Sequence, residues 1–249
     1  WGYQTAKLIQ DRKGRSFIYI TFRRDINLIS ANGRSIGIDL GINNIAVTSD
    51  KKFFNSKKIK KKRIMFKRLR TKLQAKGTKS ARRLLKKLSS KEKRFMTWVN
   101  HNISKEIVSS LEPGDTIVME NLKGIRKIKR GRKINFWLHG WSFYQLQSFI
   151  EYKAIRKGIK VIKVNPFMTS KTCSKCGNIG SRSNGFFKCI HCGYSLNADL
   201  NASYNLAKRH SKADGVSALV TEPNIQMDDF KGNLPIATAN DIMDKSPRL

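Results

Sequence analysis

The chain opens with two short apolar runs, Thr5-Ala-Lys-Leu-Ile-Gln and Ser16-Phe-Ile-Tyr-Ile-Thr-Phe, joined across Asp11-Arg-Lys-Gly14; the pattern predicts a β-hairpin. A lone hairpin is only marginally stable, so this one is expected to complete a sheet from upstream of Trp1 or to pack on the next domain. From Arg34 the run Ser-Ile-Gly-Ile-Asp39-Leu-Gly41 predicts a short buried strand carrying one acid. A Gly41-Ile-Asn-Asn44 turn leads to a second strand, Ile45-Ala-Val-Thr-Ser, and residues 51–54 can add a third.

The pattern then changes period. Leu69, Leu73, Leu84, Leu85, Leu88, Phe95, Val99 and Ile103 recur at helical spacing among Lys and Arg. Two long helices are expected, one running to about Ala75 and one from Ala81 towards Leu111, with a reversal at Lys76-Gly-Thr-Lys-Ser80 and a stop at Glu112-Pro-Gly-Asp115. Their leucine face reads as core.

Thr116-Ile-Val-Met-Glu120-Asn-Leu predicts a buried strand ending in a carboxylate, and residues 123–134 read as a basic, glycine-containing, moving loop. A helix over 142–157 with Phe143, Leu146, Phe149 and Ile150 on one side, a strand over 160–165 and a helix over 198–209 follow; residues 211–249 read as a poorly ordered tail. The fold class is therefore α/β, in an order that fits the ribonuclease H-like topology. In that topology Asp39, Glu120 and Asp199 would meet at one edge of the sheet.

Composition changes the picture in one respect. With 39% hydrophobic residues in 249 the chain can build a core, but 51 Lys and Arg against 17 Asp and Glu leave a net charge of +34. That charge calls for a polyanionic partner, nucleic acid or an anionic membrane surface. No apolar run of about 18 residues and no signal segment supports spanning or secretion, so a cytoplasmic, nucleoid-associated protein is expected. The chain begins at Trp1 and is expected to be a fragment.

The four cysteines stand as Cys173-Ser-Lys-Cys176 and Cys189-Ile-His-Cys192. Two such knuckles separated by a short polar loop suit tetrahedral zinc, and a complete thiolate set leaves no open position for chemistry. The zinc is expected to be structural, with His191 a solvent or nucleic-acid contact.

Three hard carboxylates at one point would hold Mg²⁺ or Mn²⁺ ions about 4 Å apart for phosphodiester hydrolysis. Basic helices and the 123–134 loop would carry the backbone, and Phe136, Trp137, Trp141 and Tyr144 could stack on unpaired bases. Each feature has a plainer reading. Asp39 can cap a turn, Asp39-x-Gly41 also opens the phosphate hairpin of actin-like and sugar-kinase folds, Asp199 can be a helix N-cap, and the aromatic cluster can be core packing.

Together, Gly37-Ile-Asp39-Leu-Gly41, Val118-Met-Glu120-Asn-Leu122, Thr169-Ser-Lys-Thr-Cys173-Ser-Lys-Cys176-Gly177 and Asn197-Ala-Asp199-Leu-Asn201-Ala-Ser resemble the TnpB (OrfB) family of insertion-sequence proteins, relatives of type V CRISPR effectors. The resemblance covers about residues 1–210. It implies an RNA-guided DNA endonuclease with a RuvC-like domain, an inserted zinc ribbon, and a guide RNA from the element's end. On that likeness Asp39, Glu120 and Asp199 are the catalytic metal-binding triad, and Cys173, Cys176, Cys189 and Cys192 the zinc ligands. The implied organisation is the end of a wedge-type β-barrel over 1–33, the nuclease domain over 34–166 with its basic helical hairpin at 57–111, the ribbon over 167–193, the last nuclease helix over 194–210, and the tail. The alternative is a nucleic-acid-binding protein without activity of its own.

Overall fold

The computed structural model describes residues 2–11, 14, 16–23, 33–122 and 131–212. The expected basic loop over 123–130 and the tail from 213 onward lie outside the described residues. Strands β1 (Gly2–Gln10) and β2 (Ser16–Arg23) pair antiparallel, with a register shift between Tyr3 and Thr5. Leu8 pairs with Ile18 across this hairpin, and both stay largely exposed, at 75% and 69%.

The centre of the molecule is a mixed sheet of five strands. β3 (Ser35–Asp39), β4 (Asn44–Thr48) and β5 (Phe53–Asn55) form an antiparallel meander; after helices α1 (Lys57–Lys76) and α2 (Lys79–Ser109), strand β6 (Thr116–Glu120) lies parallel to β3. Helices α3 (Arg132–Gly140) and α4 (Phe143–Arg156) lead to β7 (Lys160–Val164), parallel to β6, giving the order β5-β4-β3-β6-β7. The small strands β8 (Ser181–Ser183), β9 (Phe186–Lys188) and β10 (Ser195–Asn197) form a separate sheet ahead of the last helix, α5 (Ala198–Lys212).

Parallel strands must be covered on both faces, which explains their uninterrupted apolar runs. Ile36, Ile38, Ile117 and Met119 are buried, and α2 and α4 close one face through Val99, Ile103, Ile107, Leu146 and Ile150. Helix α5 packs against β3, β4 and β6. A Cβ at Gly37 would lie 1.9 Å from the Ser203 carbonyl oxygen and 2.6 Å from the Ala207 nitrogen. Only glycine lets α5 come this close to β3.

The structure departs from the sequence reading in four places. Helix α3 begins at Arg132 where a loop through 134 was expected. Its start is basic and lacks a side-chain cap, so no local signal marked it. The leucine face of α1 and α2 is core only at the sheet end: Val99 and Ile103 are buried, Leu69, Leu73, Leu85 and Leu88 are half-buried, and Leu84 is 50% exposed. Helical periodicity marks a face but not how far the sheet beneath it extends. Trp141, expected as a possible stacking surface, is 2% exposed and belongs to the core. Finally, the cysteine module does not end at 193, because β10 pairs with β9 through Leu196 and Phe187. None of the described helices is long and apolar enough to cross a membrane.

Candidate functional site

Asp39 is the last residue of β3 and Glu120 the last of β6. These strands are parallel neighbours with Ile38 opposite Met119, so register alone brings the two carboxylates to the same end of adjacent strands. Asp199 stands in the first turn of α5. Its Oδ2 accepts from Asn44 Nδ2 at 2.9 Å and its Oδ1 from Arg182 Nη2 at 2.9 Å. Asn197 Oδ1, just ahead of the helix, accepts from the backbone nitrogens of Asp199 and Leu200, at 3.0 and 3.2 Å. The capping role weighed for Asp199 thus falls to Asn197, which leaves the aspartate side chain free of the helix end.

Electrostatics ties the three acids together. The Asp39 carboxyl is pushed up to about 8, chiefly by burial and then by the charges of Asp199 and Glu120, against the pull of Arg182 and the Leu40 backbone. Glu120 is also raised by burial, opposed by a side-chain hydrogen bond with Thr169 and by Arg209 and Arg182. The main chain at Glu120 is fixed from α4, where Gln147 Nε2 donates to its carbonyl at 2.7 Å. Three half-buried carboxylates, two of which raise the third, form a set of hard oxygen donors that fits a divalent cation. They do not meet as tightly as the thiols do: among the described residues only the four cysteines bring their ligand atoms within 4.8 Å of one another.

The thiols form the second centre. Cys173 and Cys192 sulfurs lie 3.7 Å apart, and those of Cys176 and Cys189 3.5 Å. A tetrahedron with bonds of roughly 2.3 Å has edges of about 3.8 Å, so the set fits zinc without rearrangement. Each knuckle closes on a glycine with positive φ, Gly177 at 80° and Gly193 at 68°. Cys173, Cys189 and Phe187 are buried with Ala198, the first residue of α5, in a small core of their own. His191 is exposed and outside the thiol cluster.

Between the centres, α5 grips the segment before and within the first knuckle. Asn201 Oδ1 accepts from the Ser174 nitrogen at 2.9 Å while its Nδ2 donates to the Thr172 carbonyl at 2.7 Å; Asn205 Nδ2 donates to the carbonyls of Thr169 and Thr172 at 2.9 and 2.7 Å. Both asparagines are buried. Thr169 in turn bonds Glu120. The sequence by itself assigned no individual role to Asn44, Thr169, Arg182, Asn201 or Asn205, although Thr169 and Asn201 stood inside quoted motifs and Asn44 in a quoted turn.

Helix α1 carries eleven Lys and Arg and no acid. Phe136 and Trp137 of α3 pack half-buried against it, with Lys67 Nζ 4.5 Å from the Phe136 ring centre and Arg63 5.3 Å from that of Trp137. Their faces are therefore partly taken by cations, whereas Tyr144 and Trp98 remain exposed, at 63% and 54%.

Two family models and several known proteins are similar to parts of this chain. Residues 27–126 match the model of the family described as probable transposase (OrfB of IS605), and residues 143–206 match the Cas12f1-like TNB domain. A CRISPR-associated endodeoxyribonuclease Cas12f1 of Sulfoacidibacillus thermotolerans is 44% identical over 128 residues, covering 49% of this chain and 29% of that protein. A TnpB-like protein of Methanocaldococcus jannaschii is 38% identical over 130 residues, covering 51% of this chain and 47% of its own length. The chain thus spans less than half the length of these curated relatives. A cryo-EM structure of a Cas12f1–sgRNA–target DNA complex superposes with a TM-score of 0.57 at 24% identity, over 82% of this chain and 56% of that one, which establishes a shared mixed α/β fold. Two family models are thus matched in succession, and over these parts the chain is similar to the OrfB/TnpB family and to Cas12f1 proteins.

Proposed function

We propose that this chain carries the catalytic centre of an RNA-guided, Mg²⁺-dependent DNA endonuclease of a transposable element, with a RuvC-like nuclease fold and an inserted structural zinc ribbon. The observation that carries this reading is the joint placement of Asp39, Glu120 and Asp199, close enough that the other two charges raise the Asp39 carboxyl. In this reading Asp39, Glu120 and Asp199 hold the divalent ions, which when bound supply an activated water and stabilise the leaving 3′ oxygen of a phosphodiester. Asp39 must give up a proton to take part. Asn44 and Arg182 orient Asp199, Gln147 fixes the main chain at Glu120, and Cys173, Cys176, Cys189 and Cys192 hold zinc and with it the ribbon. The basic face of α1 follows the nucleic-acid backbone. A guide RNA, read as coming from the transposon end, and target DNA are the partners; the Cas12f1 neighbour, a complex with sgRNA and target DNA, supports the guide RNA and the DNA. The exposed hairpin β1–β2 is read as the end of a wedge barrel.

The test is cleavage of labelled DNA by the chain co-expressed with the DNA flanking its reading frame, so that any guide RNA is present. Mg²⁺-dependent cutting that Asp39→Ala and Glu120→Ala abolish, with DNA binding retained, is expected; cutting that both variants keep would falsify the assignment. A nucleic-acid-binding role without cleavage is the second reading, supported by the eleven Lys and Arg of α1. DNA and RNA binding with no cutting by the unaltered chain would favour it.

A further inference from the structure

The ion pair at Asp199 suggests a control on the site, an inference that rests on the three carboxylates being a divalent-cation site. Arg182 belongs to β8, in the cysteine module, yet its Nη2 lies 2.9 Å from Asp199 Oδ1. Asn44 holds the other oxygen at the same distance, so both oxygens of Asp199 are engaged, one of them by a full positive charge. The Arg182 side chain is 40% exposed against 15% for Asp199, so the guanidinium covers the carboxylate from the solvent side. Its charge also reaches the other two acids, pulling both the Asp39 and the Glu120 carboxyls downward.

In this arrangement Arg182 stands where the site's electrostatics call for a cation. A divalent ion binding Asp199 must take the oxygen that Arg182 holds and then sit beside a like charge. The arginine is free to leave: Ser181, Arg182 and Ser183 are all exposed, and the hairpin is anchored behind them by the buried Phe187 and Cys189. A phosphate competes well here, because it accepts the guanidinium's fork of N–H groups bidentately whereas Asp199 takes a single N–H bond from Arg182.

We propose that Arg182 is an internal counter-cation that competes with a divalent ion for Asp199 and is drawn off by a nucleic-acid phosphate, so that metal loading and nucleic-acid binding strengthen each other. Arg182 is then a positioning residue whose removal improves metal binding, the opposite of what structural damage would do. Because linkage is reciprocal, nucleic acid must tighten the metal by the factor by which the metal tightens nucleic acid.

The test is an electron paramagnetic resonance titration of Mn²⁺ on the whole zinc-loaded chain, with and without a short single-stranded DNA, corrected for Mn²⁺ bound by the DNA alone. Without DNA, Arg182→Gln is expected to bind Mn²⁺ about tenfold more tightly than the unaltered chain, within the usual range of coupling between sites, and Arg182→Lys to resemble the unaltered chain. DNA is expected to tighten Mn²⁺ by a similar factor in the unaltered chain and by little in Arg182→Gln. Equal or weaker Mn²⁺ binding by Arg182→Gln, at unchanged zinc content, overturns the counter-cation role. Tighter binding by Arg182→Gln with no effect of DNA on the unaltered chain overturns the hand-over to phosphate. Mn²⁺ binding that is absent altogether, or that survives Asp39→Asn undiminished, defeats the underlying reading of the carboxylates instead.

Discussion

Asn44 Nδ2 lies 2.9 Å from Asp199 Oδ2, a hydrogen bond between residues 155 positions apart. It ties the first residue of β4 to the first turn of α5. Since β4 is hydrogen-bonded to β3, this one contact fixes the acid of the last helix relative to Asp39, and the β3–β6 pairing fixes Glu120 relative to both. The three acids come from segments far apart in sequence; the sheet sets Asp39 and Glu120 at the same end of its central strands, and α5 adds Asp199.

With its carboxyl raised to about 8, metal-free Asp39 keeps its proton at neutral pH in the folded chain and would lose it near 3.8 when unfolded. Folding stability from this group is therefore fully present below about pH 4 and is lost as pH rises through about 8. Asp39→Asn should raise the metal-free melting temperature at pH 8 and change it little at pH 4, as thermal unfolding at the two pH values would reveal. A divalent ion must displace the same proton, so Mg²⁺ affinity measured by calorimetry should increase with pH and level off above about 8. A flat profile from pH 5 to about 8 would be inconsistent with Asp39 as a ligand.

Gly37→Ala should separate α5 from the sheet. The added methyl would meet backbone atoms of Ser203 and Ala207 at 1.9 and 2.6 Å, which cannot move as a side-chain end can. A loss of roughly 3 kcal/mol, at the upper end of what overpacking usually costs, is expected in denaturant unfolding. DNA cleavage should fall further than stability, since the same helix carries Asp199.

Much of this site was legible in the sequence, for physical reasons that differ by residue. Asp39 and Glu120 are polar ends of apolar runs, and an acid there stands out against its neighbours. The cysteine knuckles were legible because tetrahedral thiolate chemistry dictates their spacing. Arg182 and Asn44 were not, because an arginine between two serines and an asparagine in a turn gain meaning only when a distant helix packs beside them. Helix α3 has no side-chain cap to mark its start, and Trp141 looked no different from Trp137 until packing buried one and left the other against α1. The exposed Leu84 carries a third lesson: helical period reports which residues share a face, while burial depends on what lies opposite.

Removing a thiol should unfasten the ribbon. Cys173 is buried and its neighbour Ser174 is bonded to Asn201 of α5, so Cys173→Ser should cut zinc from about one per chain to near zero and lower the melting temperature. Elemental analysis and thermal unfolding with and without a chelator would check it. A chelator should destabilise the unaltered chain and leave Cys173→Ser where it was; indifference of both would mean the thiols hold no structural metal.

Salt should govern the grip on nucleic acid. Eleven cations and no acid on α1 imply release of many counterions, so DNA affinity measured by fluorescence anisotropy should fall by at least about tenfold from roughly 50 to 200 mM salt. Replacing Lys61, Lys62, Lys67 and Arg68 by glutamine should make that dependence shallower, whereas an unchanged slope would move the binding surface away from α1.

If Asp39, Glu120 and Asp199 bind the ions that cut phosphodiesters, anomalous diffraction from crystals grown with Mn²⁺ and DNA will locate those ions among them. The expected result is a pair of peaks about 4 Å apart, bounded by those three carboxylates, with the Arg182 guanidinium moved from Asp199 to a phosphate. Mn²⁺ peaks only elsewhere on the chain, with Arg182 still paired to Asp199 and the three acids bare, would contradict it.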